Sequence, residues 1–154
     1  MLKFTEAKVT FAEIPDEITL CINISNCPFN CKGCHSPELS KDIGKPLDVE
    51  AIDTLISNNT GISCVCFMGG DIEPLTISCM AQEIKAYYPK LKVGWYSGRD
   101  SLSKEINLKY FDYIKIGPYK EDLGPLNKET TNQRLYKVDN KELIDITNKF
   151  WKNV

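Results

Sequence analysis

The chain has 154 residues, a formal net charge of −2, 42% hydrophobic and 26% charged residues. A nearly neutral chain lacks the basic field that draws nucleic acid or an anionic membrane surface, so neither is expected as a partner. The length suits one domain, residues 1–154, with a core of its own.

The N-terminal stretch "MLKFTEAKVTFAEIPDE" carries acids early and has no unbroken apolar core, unlike a signal peptide. No apolar run reaches the ~20 residues that span a bilayer. The expectation is a cytoplasmic protein. The seven cysteines are odd in number and clustered. In a reducing compartment such a cluster serves metal binding or catalysis rather than disulfides.

Ile18–Ile24 ("ITLCINI"), rich in β-branched residues, predicts a strand. It runs straight into "CPFNCKGCH". Asp48 reads as a helix N-cap, with Val49, Ile52, Leu55 and Ile56 on one face and "SNNTG" as the stop. Ile62–Phe67 is apolar on both faces, as a strand covered on both sides should be, and it ends in "MGGD". A second helix opens near Pro74. Its face repeats at Ile77, Met80, Ala81, Ile84 and Tyr88, and Pro89 ends it.

Leu91–Tyr96 predicts a third strand, running into "SGRD", and Leu102–Leu108 a short helix. Phe111–Ile116 predicts a fourth strand, followed by "GPY", and Arg134–Val138 a shorter fifth. Leu143, Ile146, Thr147 and Phe150 mark a C-terminal helix. Strands alternating with helices imply βαβ units and a parallel sheet. A complete eight-fold barrel takes about 250 residues, so the expected fold is α/β, a partial and open βα barrel. The cysteine cluster, "MGGD", "YSG" and "IGPY" each follow a predicted strand. Ligands of parallel α/β sheets bind at the carboxyl ends of the strands, so these stretches converge on one candidate site.

Cys27, Cys31 and Cys34 have the spacing C-x3-C-x2-C. Four thiolates hold an ordinary iron–sulfur cluster, and four ligands close a structural zinc site. Three in one loop favour a cluster with one open iron position. Zinc would need His35 or a distant cysteine, and His35 directly follows Cys34, where adjacent side chains diverge. A thioredoxin-like pair, Cys31 and Cys34, would leave Cys27 idle. The spacing alone leaves these alternatives open. Cys21, Cys64, Cys66 and Cys79 are expected as small buried hydrophobes.

"CPFNCKGC" resembles the loop of radical S-adenosylmethionine enzymes. In that family three such cysteines hold one 4Fe-4S cluster, whose open iron takes the amino and carboxylate groups of S-adenosylmethionine. The resemblance implies Cys27, Cys31 and Cys34 as ligands, with no catalytic side chain beyond cluster and cofactor. It implies reductive cleavage of the cofactor to methionine and a 5′-deoxyadenosyl radical. The family's usual aromatic before the last cysteine is replaced by Gly33. That departure is similar to one branch, the activating proteins of anaerobic ribonucleoside-triphosphate reductase. Gly33 and His35 are counted with the cofactor-binding residues, His35 because the family's loop passes the adenine there.

Gly69, Gly70 and Asp71 resemble the GGE element, which implies contact with the cofactor's amino group. Ser97, in "YSG", falls where a hydrogen bond to the cofactor is expected. "YIKIGPY" resembles the next strand and turn, with Lys115 free to face a carboxylate. "TTNQ", with Asn132 and Gln133, resembles a late "SSNQ" marker of the same branch. The likeness runs from Ile18 to Val138. It implies the large subunit of the anaerobic reductase as partner, a glycyl radical as product, and a flavodoxin- or ferredoxin-type electron donor. The alternatives are an enzyme acting on another glycyl-radical protein or a small molecule, and a non-catalytic iron–sulfur or zinc module.

Overall fold

The computed structural model of the protein describes residues 1–151. Its strands are β1 (Lys3–Thr10), β2 (Thr19–Ile24), β3 (Lys45–Pro46), β4 (Cys64–Met68), β5 (Lys92–Tyr96), β6 (Tyr113–Ile116), β7 (Arg134–Asp139) and β8 (Glu142–Asp145). Two helices, α1 (Val49–Ser57) and α2 (Pro74–Tyr87), lie among them. One sheet takes the order β3-β1-β2-β4-β5-β6-β7-β8. β2, β4, β5 and β6 are parallel, while the outer strands on both sides pair antiparallel. The fold is α/β, with an open sheet that has a parallel centre, consistent with a partial βα barrel.

Alternation along the strands divides the core in two. On one face Leu20, Ile22, Val65, Phe67, Val93, Trp95 and Ile114 meet Ile52 and Ile56 of α1 and Ile77, Met80, Ala81 and Ile84 of α2. On the other, Cys21, Cys66, Gly94 and Tyr113 stand in one row across the sheet, covered by Ile14, Leu135 and Ile146. Cys21, Cys64 and Cys66 are buried as expected, whereas Cys79 is exposed on the outer side of α2. Asp48 caps α1 by accepting from the Ala51 N–H at 2.8 Å, and Pro74 opens α2, where a missing N–H costs nothing.

Several elements differ from the sequence expectation, the two-residue β3 among them. β1 is an added strand whose mostly polar, exposed pattern gave no strand signal; antiparallel pairing with β2 holds it. Residues 102–108 form no α-helix. Ser103 Oγ and Asn107 Oδ1 accept from the backbone N–H groups two residues on, and only a short 3-10 turn, Leu108–Tyr110, follows. The expected C-terminal helix is strand β8 and a 3-10 turn, Thr147–Phe150. Asn140 and Lys141 both have positive φ, which makes a tight hairpin and turns the chain back as a strand. Among the described residues no helix is long and apolar enough to cross a membrane.

The amino-terminal end of the parallel strands is closed by a buried carboxylate. Glu17 accepts from Ser63 Oγ at 2.8 Å, Lys92 Nζ at 2.7 Å and Tyr113 Oη at 2.6 Å. Burial pushes its carboxyl up, but these three bonds and the Lys92 charge outweigh burial and hold it below the ordinary value. A carboxyl with a lowered folded value contributes stability above its unfolded value of 4.5 and loses it as pH falls through the folded one. Glu17→Gln should therefore lower stability by roughly 2–4 kcal/mol at neutral pH. The gap from wild type should shrink in acid, as read by urea unfolding at the two pH values.

Candidate iron–sulfur and cofactor site

Directly after β2, Ser25 Oγ donates to the Ile43 carbonyl at 2.6 Å. The N–H groups of Asn26 and Cys27 then donate to the carbonyls of Lys41 and Leu39, at 2.9 and 2.8 Å. These bonds close residues 26–41 into one loop. Within it the Cys34 N–H donates to the Cys31 carbonyl at 3.1 Å, and Gly33 takes φ +75°. A Cβ on Gly33 would lie 3.0 Å from the Glu121 side chain, which reaches over from the β6–β7 connection. The left-handed backbone favours glycine at this position, while the exposed Glu121 side chain could swing away from a larger residue.

The thiols of Cys27, Cys31 and Cys34 are free, partly exposed, and line one cavity of about 130 Å³ together with Met68, Gly69 and Phe29. Burial pushes the Cys27 thiol up, and the nearby negative charges of Asp71, Cys31 and Cys34 add to that. Among the described residues no three His, Cys, Asp or Glu side chains converge tightly enough to chelate a single ion. A cluster asks for something else: each thiolate meets a different iron, so the thiols must surround a space rather than meet at a point. Three soft donors around one cavity fit a cluster, and they do not make the closed four-ligand shell of structural zinc. His35 is exposed and does not line this cavity.

The other three strand ends meet at the same edge. The Gly69 N–H donates to the Tyr96 carbonyl and the Ser97 N–H to the Lys115 carbonyl, at 3.1 and 2.9 Å, and the Gly117 N–H to the Arg99 carbonyl at 2.6 Å. Gly69 and Gly70 both have positive φ. A Cβ on Gly69 would lie 3.1 Å from the Ile24 carbonyl and one on Gly70 2.5 Å from Ile77 Cδ1, so the protein's own packing already requires both glycines. The Gly69 carbonyl accepts from Trp95 Nε1 at 2.7 Å. Asp71 is buried, and Ser97 Oγ and the Gly98 N–H both donate to its carboxylate.

Lys115, only 8% exposed, donates to the carbonyls of Ser97 at 3.1 Å and Gly117 at 2.8 Å. Among the described residues no carboxylate forms an ion pair with it. Burial pulls its ammonium down to about 8, with Asp71 and the three loop cysteines opposing that shift. Gln133 Nε2 also donates to the Gly117 carbonyl, at 3.4 Å, and Asn132 Nδ2 to the Pro118 carbonyl at 3.0 Å. The "NQ" pair thus ties the β6–β7 connection to the turn after β6. Asn132 Oδ1 is buried and has no hydrogen-bond partner among the described residues.

Several contributors escape a reading of the sequence. Arg99 follows Ser97 and Gly98 and pairs with Asp71. Phe29, inside the cysteine loop, packs against Gly98. Glu121 covers Gly33. Only Arg99 carried a signal, as a charge at a strand end beside a predicted site.

An open α/β sheet with three free thiols on the loop after its first parallel strand is the arrangement of an iron–sulfur domain. The family model for the 4Fe-4S single cluster domain matches residues 18–139, and the chain belongs to that family. Comparison with curated proteins and with solved structures found no match.

A buried ammonium without a counter-ion costs stability in the metal-free protein. Lys115→Met should therefore raise the stability of the metal-free chain by roughly 1–3 kcal/mol at neutral pH. Because the folded value is lowered, wild type should regain this deficit as pH rises from about 8 toward 10.5. Chemical denaturation of both proteins across that range checks it.

Proposed function

We propose that the protein is a radical S-adenosylmethionine activase that places a glycyl radical on an anaerobic ribonucleotide reductase. The observation that carries this reading is the shared cavity of Cys27, Cys31 and Cys34, bounded by Met68 and Gly69 at the edge where the parallel strands end. The three thiols would hold one 4Fe-4S cluster. The main chain of Gly69 and Gly70, with Ser97, would bound the methionine end of the cofactor, and Gly33 and His35 would lie on the adenine side. Lys115, buried and lacking a carboxylate partner among the described residues, suits the cofactor's carboxylate. A cluster held by Cys27, Cys31 and Cys34, with S-adenosylmethionine beside it, would supply the one-electron and hydrogen-abstraction chemistry that a glycyl radical requires.

The chain's own work is to bind, orient and shelter. The sheet does not close on itself, since β3 and β8 are its two edges. Such an opening admits a polypeptide loop, which a closed barrel would keep out. A flavodoxin- or ferredoxin-type protein would deliver the electron.

Anaerobic reconstitution should give a brown protein with about four irons per chain. With a strong reductant it should cleave S-adenosylmethionine, and with the reductase it should produce a glycyl radical seen by electron paramagnetic resonance. Cys27→Ala, Cys31→Ala and Cys34→Ala should each abolish cleavage. Cleavage without a radical on the reductase moves the target to another glycyl-radical protein or a small molecule. A bound cluster without cleavage leaves an electron-transfer module.

A further inference from the structure

We propose that Asp71 is a positioning residue: its carboxylate holds the 97–99 turn against the cysteine loop, instead of meeting the cofactor's amino group. The inference rests on the site proposed above for its second readout only. Asp71 is 3% exposed, and its polar atoms are engaged within the protein. Oδ1 accepts from Ser97 Oγ at 2.5 Å and lies 3.5 Å from Arg99 Nε. Oδ2 accepts from the Gly98 N–H at 2.9 Å. The Asp71 carbonyl accepts from Arg99 Nη2 at 2.9 Å, and Ser97 Oγ in turn accepts from the Arg99 N–H at 3.1 Å. A carboxylate offers about four acceptor sites; the turn fills one on each oxygen, and the Arg99 guanidinium stands beside Oδ1 as an ion-pair partner.

The turn so held has a task. A Cβ on Gly98 would lie 2.7 Å from Phe29 Cδ2, so the ring rests directly on the Gly98 main chain. Phe29 sits between Cys27 and Cys31, and its carbonyl is 3.7 Å from the Cys27 thiol. Contact therefore runs from Asp71 through Ser97 and Gly98 to Phe29 and the cysteines. Side-chain length matters in this arrangement. A short acid draws the turn in until Gly98 meets Phe29, whereas one more methylene, or a methyl at position 98, forces the two apart. A cofactor ligand has the opposite tolerance, because a longer acid reaches further into the site.

Hydrogen–deuterium exchange on the metal-free protein separates the two roles. The Cys27 and Cys34 amides are both hydrogen-bonded within the loop, so both report its order. Asp71→Asn and Asp71→Glu should each speed exchange there by about tenfold, while β2 and β4 exchange as in wild type. Gly98→Ala leaves the Asp71 bonds in place and should give the same loop-specific change; it also serves if an Asp71 variant fails to fold. In the reconstituted protein, Asp71→Asn should weaken S-adenosylmethionine binding no more than Gly98→Ala does. Wild-type loop exchange in Asp71→Glu or Gly98→Ala overturns the proposal, as does a loss of cofactor affinity confined to Asp71→Asn. A wild-type chain that takes up no iron would sink the proposed function yet leave the exchange readout standing, so the two ideas fail separately.

Discussion

In a parallel sheet all strands point one way, so their chains must leave at one edge and return along the opposite side. β2, β4, β5 and β6 obey this with a common register, in which Asn23, Met68, Tyr96 and Lys115 form one row just below the edge. Everything in the candidate site hangs from that row. The next residues along each strand are the start of the cysteine loop, the two glycines, the serine turn and the turn at Gly117. Hydrogen bonds from Gly69 to Tyr96, from Ser97 to Lys115 and from Gly117 to Arg99 then stitch the strand ends together. A slip of one residue in any pairing would turn Met68 or Lys115 to the helix-covered face and dismantle the site.

Periodicity made the centre of the fold legible. The four parallel strands and both helices lie within a residue or two of where the apolar pattern puts them, because burial on both sides leaves little freedom. The edges were not legible. β1 has polar residues at most positions and exists by pairing. Leu143, Ile146 and Phe150 have a spacing that a helix and a hairpin followed by a turn both satisfy, and two positive φ angles at Asn140 and Lys141 decide between them. In the site, the cysteine spacing was readable because it is local. The partners of Asp71, Gly33 and Lys115 were not, since each comes from a different strand end, and only the assembled sheet brings them together.

One residue type serves two chemistries here. Cys21, Cys64 and Cys66 are deep in the sheet, and burial drives the thiols of all three up, that of Cys21 to about 12. Such thiols stay protonated and pack as small apolar groups. Cys27, Cys31 and Cys34 stand on a loop at the rim, partly open to solvent, where a bound group can reach them. The division follows from position on the sheet, strand body against strand end, with no difference in the residue itself.

The buried carboxylate at the far end divides the labour of holding the sheet. Glu17, with Lys92, Tyr113 and Ser63, joins the amino-terminal ends of β2, β4, β5 and β6 through one side chain. The carboxyl-terminal ends are joined instead by main-chain hydrogen bonds at glycine and serine turns. A proton on that carboxylate therefore loosens the end opposite the cysteine loop, while the end that carries the candidate site keeps its own ties.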